Sequence, residues 1–301
     1  MISKLDSYIE NHLKLSIYNT AFGFARTVFA ISTLLTLLCN DEHVMFKSGI
    51  NHSLSPSIAL INKFNIFWLV PDQHITLLKW GLCVLLCIIA SGWRPRFTCI
   101  LHWYIATCFF NASLDIEGGD QIISNITLLL IPICLLDNRK SHWDVYLPSS
   151  TTFQSVSRII TNSFFFLIKI QVCVLYFHSA IGKFAIPQWI NGTALYYWFN
   201  HPVFGMTDSV KNIVNPVVTN SFASFILCWS VLIFELILSA GILISKKYYK
   251  KLFILGVGFH FMIIIAHGLF SFFFSMLAVL LLYFMVEYEN YKNNKNKKSY
   301  L

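Results

Sequence analysis

The chain has 301 residues, 56% of them hydrophobic and only 12% charged, with a mean hydropathy of +0.63. Soluble domains carry roughly 25% charged residues, so this composition excludes a soluble globular enzyme and points to an integral membrane protein. The formal charge of +8 is not a nucleic-acid signal, because the Lys and Arg fall in short clusters beside apolar runs rather than along one polar face.

Residues 1–17 place Leu5, Ile9, Leu13 and Ile17 at four-residue spacing, with Lys4, Asp6, Glu10 and Lys14 around the rest of the circle. That pattern predicts a short amphipathic helix lying on the membrane surface. The polar start and the lack of a small-residue cleavage site predict that the first apolar run is retained rather than removed as a signal peptide. That run, about 18–39, is long enough to cross a hydrocarbon core about 30 Å thick. Arg26 lies inside it and either snorkels to the near interface or faces a polar interior.

Residues 40–74 mix Asp, Glu, His, Asn and Pro with short apolar pieces, so they read as a segment outside the bilayer with surface-lying stretches. Two runs follow, about 75–91 and 97–110, joined by the turn Arg94-Pro95-Arg96. The segment NASLDIEGGD then puts Asp115, Glu117 and Asp120 within six residues and turns through Gly118-Gly119 into a fourth run, about 121–136. Asn125 and Thr127 near its start are predicted to face the bundle interior. A basic loop leads to a fifth run, about 159–184, a long polar loop to a sixth, about 222–245, and a lysine-rich turn to residues 252–286. This last stretch is about 52 Å long as one helix, too long for one crossing, and is divided into a hairpin near 269–272.

These runs make an all-α polytopic bundle of about eight transmembrane helices, over residues 18–287, with a basic tail at 288–301. Most of the Lys and Arg then fall on one side: Lys4, Lys14, Arg94, Arg96, Arg139, Lys140, Arg158, and the lysines of 246–251 and 292–298. The positive-inside rule makes that side, with both termini, cytoplasmic. The tail is predicted to be a solvated end beside the anionic leaflet.

The stretch KIQVCVLYFHSAIGKFAIPQWINGTALYYW, residues 169–198, carries the strongest chemistry. An apolar helix ends with His178 and Lys183, breaks at Pro187 and resumes through Trp189. Ionisable groups in membrane segments are costly and mark candidate sites. Topology puts Lys183 at the extracytoplasmic end of its span, with the acidic turn and His267. Lys183 is either a base with a lowered pKa or a snorkelling helix anchor. Glu235, deep in the sixth run, calls for a basic or histidine partner on a neighbouring helix. His260 and His267 are two turns apart, too far for one metal held by one helix, and the eight cysteines lack paired metal spacing, so no metal site is predicted. Gly-rich phosphate loops, nucleophile elbows and HExxH are absent from the sequence.

Arg26 in the first span, GGDQIISNITLLLIP, YFHSAIGKFAIPQWINGTALYYW, Glu235, Phe259-His260 and GLFSFFFSML together resemble the HTTM domain, the membrane module shared with vitamin K-dependent gamma-carboxylase. Length and the GTALYYW ending are most similar to the SdpB branch. The resemblance implies a multi-pass protein of a bacterial plasma membrane. It would mature a secreted antimicrobial peptide toxin from its precursor, with a small SdpA-like partner. From the carboxylase branch it implies Lys183 as a base toward a reduced quinone, with His260 matching that branch's later-helix histidine; His178, on the same helix as Lys183, is a further catalytic candidate from the residues themselves. Trp189, Asp120, Asn125, Glu235 and Arg26 are the candidates for substrate binding. The chain lacks the carboxylase's large extracytoplasmic domain.

Overall fold

The structure, a computed structural model, describes residues 16–46, 63–114, 116–147 and 152–299; the predicted surface helix of residues 1–17 and Asp115 lie almost wholly outside these. Among the described residues the fold is helical, with one isolated bridge between Trp93 and Ser141. The long helices are α1 (Thr20–Cys39), α4 (Ile75–Ala90), α5 (Pro95–Ala112), α6 (Gly118–Leu135), α7 (Thr152–Phe184), α11 (Ser221–Ser239), α12 (Tyr249–His267) and α13 (Phe270–Leu280). The last continues through a π-helical turn, Leu281–Met285, into α14 (Val286–Ser299). Short helices fill the connections: α2 (Glu42–Met45), α3 (Ile66–Leu69), α8 (Pro187–Ile190), α9 (Ala194–Phe199) and α10 (Asp208–Val218).

Local chemistry sets the ends. Asn19 and Asn220 accept hydrogen bonds from Phe22 N and Ala223 N and so cap α1 and α11. Asp120 accepts from Glu117 N at 3.0 Å at the start of α6, and Pro95 opens α5. The expected hairpin in 252–286 falls at Gly268, whose left-handed φ of 70° stops α12.

Among the described residues, seven helical stretches are long and apolar enough to cross a membrane, from Thr20–Cys39 to Phe270–Asn296. The eighth long helix, α5, is less apolar because Arg96, His102 and Asn111 interrupt it. Asn290 Nδ2 donates to Ser16 O at 2.9 Å, and Asn19 Nδ2 to Val286 O at 2.8 Å, so the two ends of the chain meet at one end of the bundle. α5 packs on α6 and on α4, beside these seven stretches.

The core forms where α1 packs on α4 and α13, and α6 on α7. Phe22, Phe29, Ile123, Ile133, Ile168, Tyr283 and Phe284 are buried there. Small residues allow close approach: a side chain at Gly119 would meet Ser275, and one at Gly256 would meet Leu280. Leu77, Val84, Phe166, Phe177, Phe222 and Leu255 are exposed on the outside of the bundle, where a soluble protein would carry charge.

Beside the first span, Lys79 Nζ donates to Asn40 O and Glu42, each at 2.8 Å. The Lys79 hydrogen bond, helped by Thr76, holds the Glu42 carboxyl down at about 2.

Candidate functional site

The lysine-bearing helix does not end at the membrane surface. Glu235, the partner of Lys183, lies about 21 Å along α11 from Ser221, at about 1.5 Å per residue, so the pair is well inside a hydrocarbon layer about 30 Å thick. α7 therefore breaks within the length that α11 needs to cross a bilayer. The chain continues beyond the break as α8 and α9, packed on the first half of α11. Trp229 Nε1 donates to Ile190 O at 3.2 Å and Ser224 Oγ to Gly192 O at 2.6 Å. Broken backbone at this depth is tolerated where protein covers it, which is what these contacts do. Gly192 is required here: its φ is +76°, and a Cβ would stand 2.4 Å from Phe225 Cα.

At the break, Lys183 Nζ donates to Glu235 Oε1 at 2.7 Å, to Oε2 at 2.8 Å and to Ser179 Oγ at 2.7 Å. Ser179 Oγ donates in turn to Glu235 Oε1 at 3.0 Å. The ammonium also stands 5.5 Å above the ring of the buried Trp189. Glu235 is 7% exposed in its side chain and Lys183 20%, so the carboxylate is buried and the amine retains access. One helical turn nearer the start of α7, Tyr176 OH lies 3.0 Å from His260 Nε2 of α12. His260 Nδ1 is buried and has no hydrogen-bond partner among the described residues. Three helices thus bring an amine, a carboxylate, a hydroxyl, a phenol and an imidazole into adjoining contacts. A proton can be held between the amine and carboxylate, away from water.

Sequence reasoning missed Tyr176 and Ser179. They precede Lys183 by seven and four residues, the spacing that lines one helix face, and that was the available signal. His178 is on another face and is exposed, because one residue's step from Ser179 turns the helix by about 100°.

The other candidates lie elsewhere. Asp120 is buried and used as a helix cap, beside Glu117, whose Oε1 accepts from Ser271 Oγ at 2.8 Å. Asn125 is exposed, contrary to the inward orientation expected of it, while Ser124 and Thr127 take the buried face. Arg26 neither snorkels nor meets Lys183; it is 2% exposed and bonds to His142 and Thr98. His267 Nδ1 bonds to Phe204 O at 2.6 Å, beneath Trp198 and Phe199.

No family profile matches the chain, and no solved structure matches it. Among curated proteins it is 30% identical to the sporulation-delaying protein SdpB of Bacillus subtilis, over 94% of this chain and 85% of that protein. The chain belongs to the SdpB family. It is also 32% identical to the Bacillus subtilis protein YitO, described as uncharacterized, over 88% of this chain and 85% of YitO. Both matches cover most of the chain and so take in the broken helix as well as the scaffold. As an SdpB-family protein with apolar spanning helices, it is a membrane protein.

Proposed function

We propose that the chain is a maturation factor for a secreted antimicrobial peptide toxin, working in the cell membrane with a small SdpA-like partner. Its termini are cytoplasmic and it acts on the precursor from the extracytoplasmic side. Membership of the SdpB family over nearly the whole chain carries this reading. The Lys183–Glu235–Ser179 cluster supports a working site within it. A charged pair at membrane depth is costly, and apolar residues of similar volume commonly serve the fold equally well.

A base role toward a reduced quinone, implied by the carboxylase resemblance, would require this arrangement to open. A lysine acting as base must present a lone pair, whereas Lys183 Nζ directs hydrogens to both Glu235 oxygens and to Ser179 Oγ. In this arrangement Lys183 Nζ is the hydrogen-bond donor and Glu235 the acceptor. The proposed role of the pair is to hold and exchange a proton beside the peptide.

Deleting the gene while keeping the precursor gene is expected to abolish killing activity and leave precursor synthesis intact; full activity in the deletion strain refutes the proposal. Within the site, Lys183→Arg keeps the charge and can pair with Glu235, so the protein is expected to accumulate in the membrane. A guanidinium with a pKa above 12 cannot exchange the proton, so maturation is expected to be lost. Maturation at the wild-type level by this variant would leave Lys183 as an anchor of the fold.

A further inference from the structure

Arg26 is a cation buried without a counter-ion. Its Nη1 lies 3.0 Å from His142 Nδ1 and its Nη2 donates to Thr98 Oγ1 at 3.2 Å, and both partners are neutral acceptors. The hydrogen-bond chain fixes this. Thr27 Oγ1 donates to Ala90 O at 2.7 Å, so at 3.1 Å it accepts from His142 Nε2, leaving His142 Nδ1 as the acceptor for Arg26. Burial, with Arg26 and Arg139 nearby, pushes the His142 imidazole down to about 3, which keeps it uncharged. Among the described residues Arg26 has no ion pair; the nearby Asp137 is taken by Arg139 at 2.8 Å. A guanidinium has five N–H groups, and these bonds use only part of that capacity.

A second observation points to what is missing. His102 follows Thr98 by one helical turn on the same face of α5, is 3% exposed, and its Nε2 has no hydrogen-bond partner among the described residues. An unpaired buried ring nitrogen beside an uncompensated buried cation is unfavourable unless one group bonds to both. Around this end of the bundle Arg94, Arg96 and Lys140 raise the local positive potential.

We propose that Arg26, Thr98 and His102 form a binding site for an anionic phosphate-type group, separate from the Lys183 cluster. Arg26 supplies the charge and His102 Nε2, in the tautomer that carries its proton there, a directed hydrogen bond. His142 holds Arg26 in place and does not touch the ligand. Free phosphate and the headgroup of an anionic phospholipid share this chemistry.

The test is thermal unfolding of the purified full chain in a neutral detergent. One arm adds sodium phosphate against sodium gluconate at equal ionic strength. The other adds phosphatidylglycerol against phosphatidylcholine. A ligand that binds only the folded state raises the midpoint progressively above its Kd, by a few degrees for each tenfold rise. A rise with phosphate assigns the site to the free anion, and a rise with phosphatidylglycerol alone assigns it to the headgroup. Either must vanish in Arg26→Gln and in His102→Leu. The second variant guards against a failure of the first to fold, because replacing an unpartnered buried imidazole by an apolar side chain is close to neutral without ligand. No shift from either source, or an equal shift in His102→Leu, overturns the proposal.

Discussion

Removing the two charges of the Lys183–Glu235 pair, singly and together, separates what the pair does for stability from what it does for function. In Lys183→Met the Glu235 carboxylate, 7% exposed, loses the partner that contacts both its oxygens. Breaking a buried pair from one side costs about 3–5 kcal/mol; protonation of the stranded carboxyl limits the loss here to about 3 kcal/mol. Glu235→Leu strands Lys183, whose side chain is 20% exposed and can lose its proton, so about 2 kcal/mol is expected. The double variant leaves no charge. It forfeits the Ser179 hydrogen bonds and the contact with the Trp189 ring, about 1–2 kcal/mol together. The single costs therefore exceed the double by about 3 kcal/mol, a coupling at the upper end for directly touching residues. Reversible unfolding in mixed micelles of rising dodecyl sulfate fraction, followed by tryptophan fluorescence, measures it. Single costs that add to the double cost, within about 0.5 kcal/mol, would refute the reasoning, since they would mean the two side chains do not meet in the folded protein. The folded double variant is expected to be inactive in toxin maturation.

Gly192→Ala must adopt a φ of +76° and push its Cβ into the Phe225 backbone, so a loss of at least about 2 kcal/mol is expected in the same unfolding assay. A silent substitution would show that the turn after α8 does not seal the break in α7. Folded His142 has its pKa near 3, whereas an unfolded histidine titrates near 6.5. Its contribution is therefore fully present above pH 6.5 and is lost as pH falls below that, at about 1 kcal/mol between pH 6 and 5. His142→Gln, which keeps an acceptor for Arg26, is expected to flatten that stretch of the stability profile; an unchanged slope would exclude His142 as its source. Reporter fusions after Lys140 and at the C-terminus should report cytoplasm, and one after Lys211 the exterior; a cytoplasmic Lys211 fusion would invert the proposed side of action.

Apolar run length and the placement of Gly, Pro and Asn were enough to mark an all-α membrane bundle, because a crossing needs about 20 apolar residues and the turns between crossings must be polar. The break at Pro187 and the hairpin at Gly268 were legible for the same local reason. The need for a partner to Glu235 was also legible, since charge inside a membrane segment demands neutralisation. Which partner it takes was not, because Lys183 and Glu235 are 52 residues apart and their meeting depends on how far α11 slides past α7. That offset sets the point along α11 at which Lys183 is held. It also brought Tyr176 and Ser179, ordinary residues in sequence, into the cluster. Likewise Arg26 was visible as an anomaly, but only the return of His142 over the end of the bundle, 116 residues later, decided that it turns inward. Periodicity reports which face of a helix is apolar; the depth and register at which two such faces meet come from side-chain packing between distant segments, and only the tertiary structure holds that information.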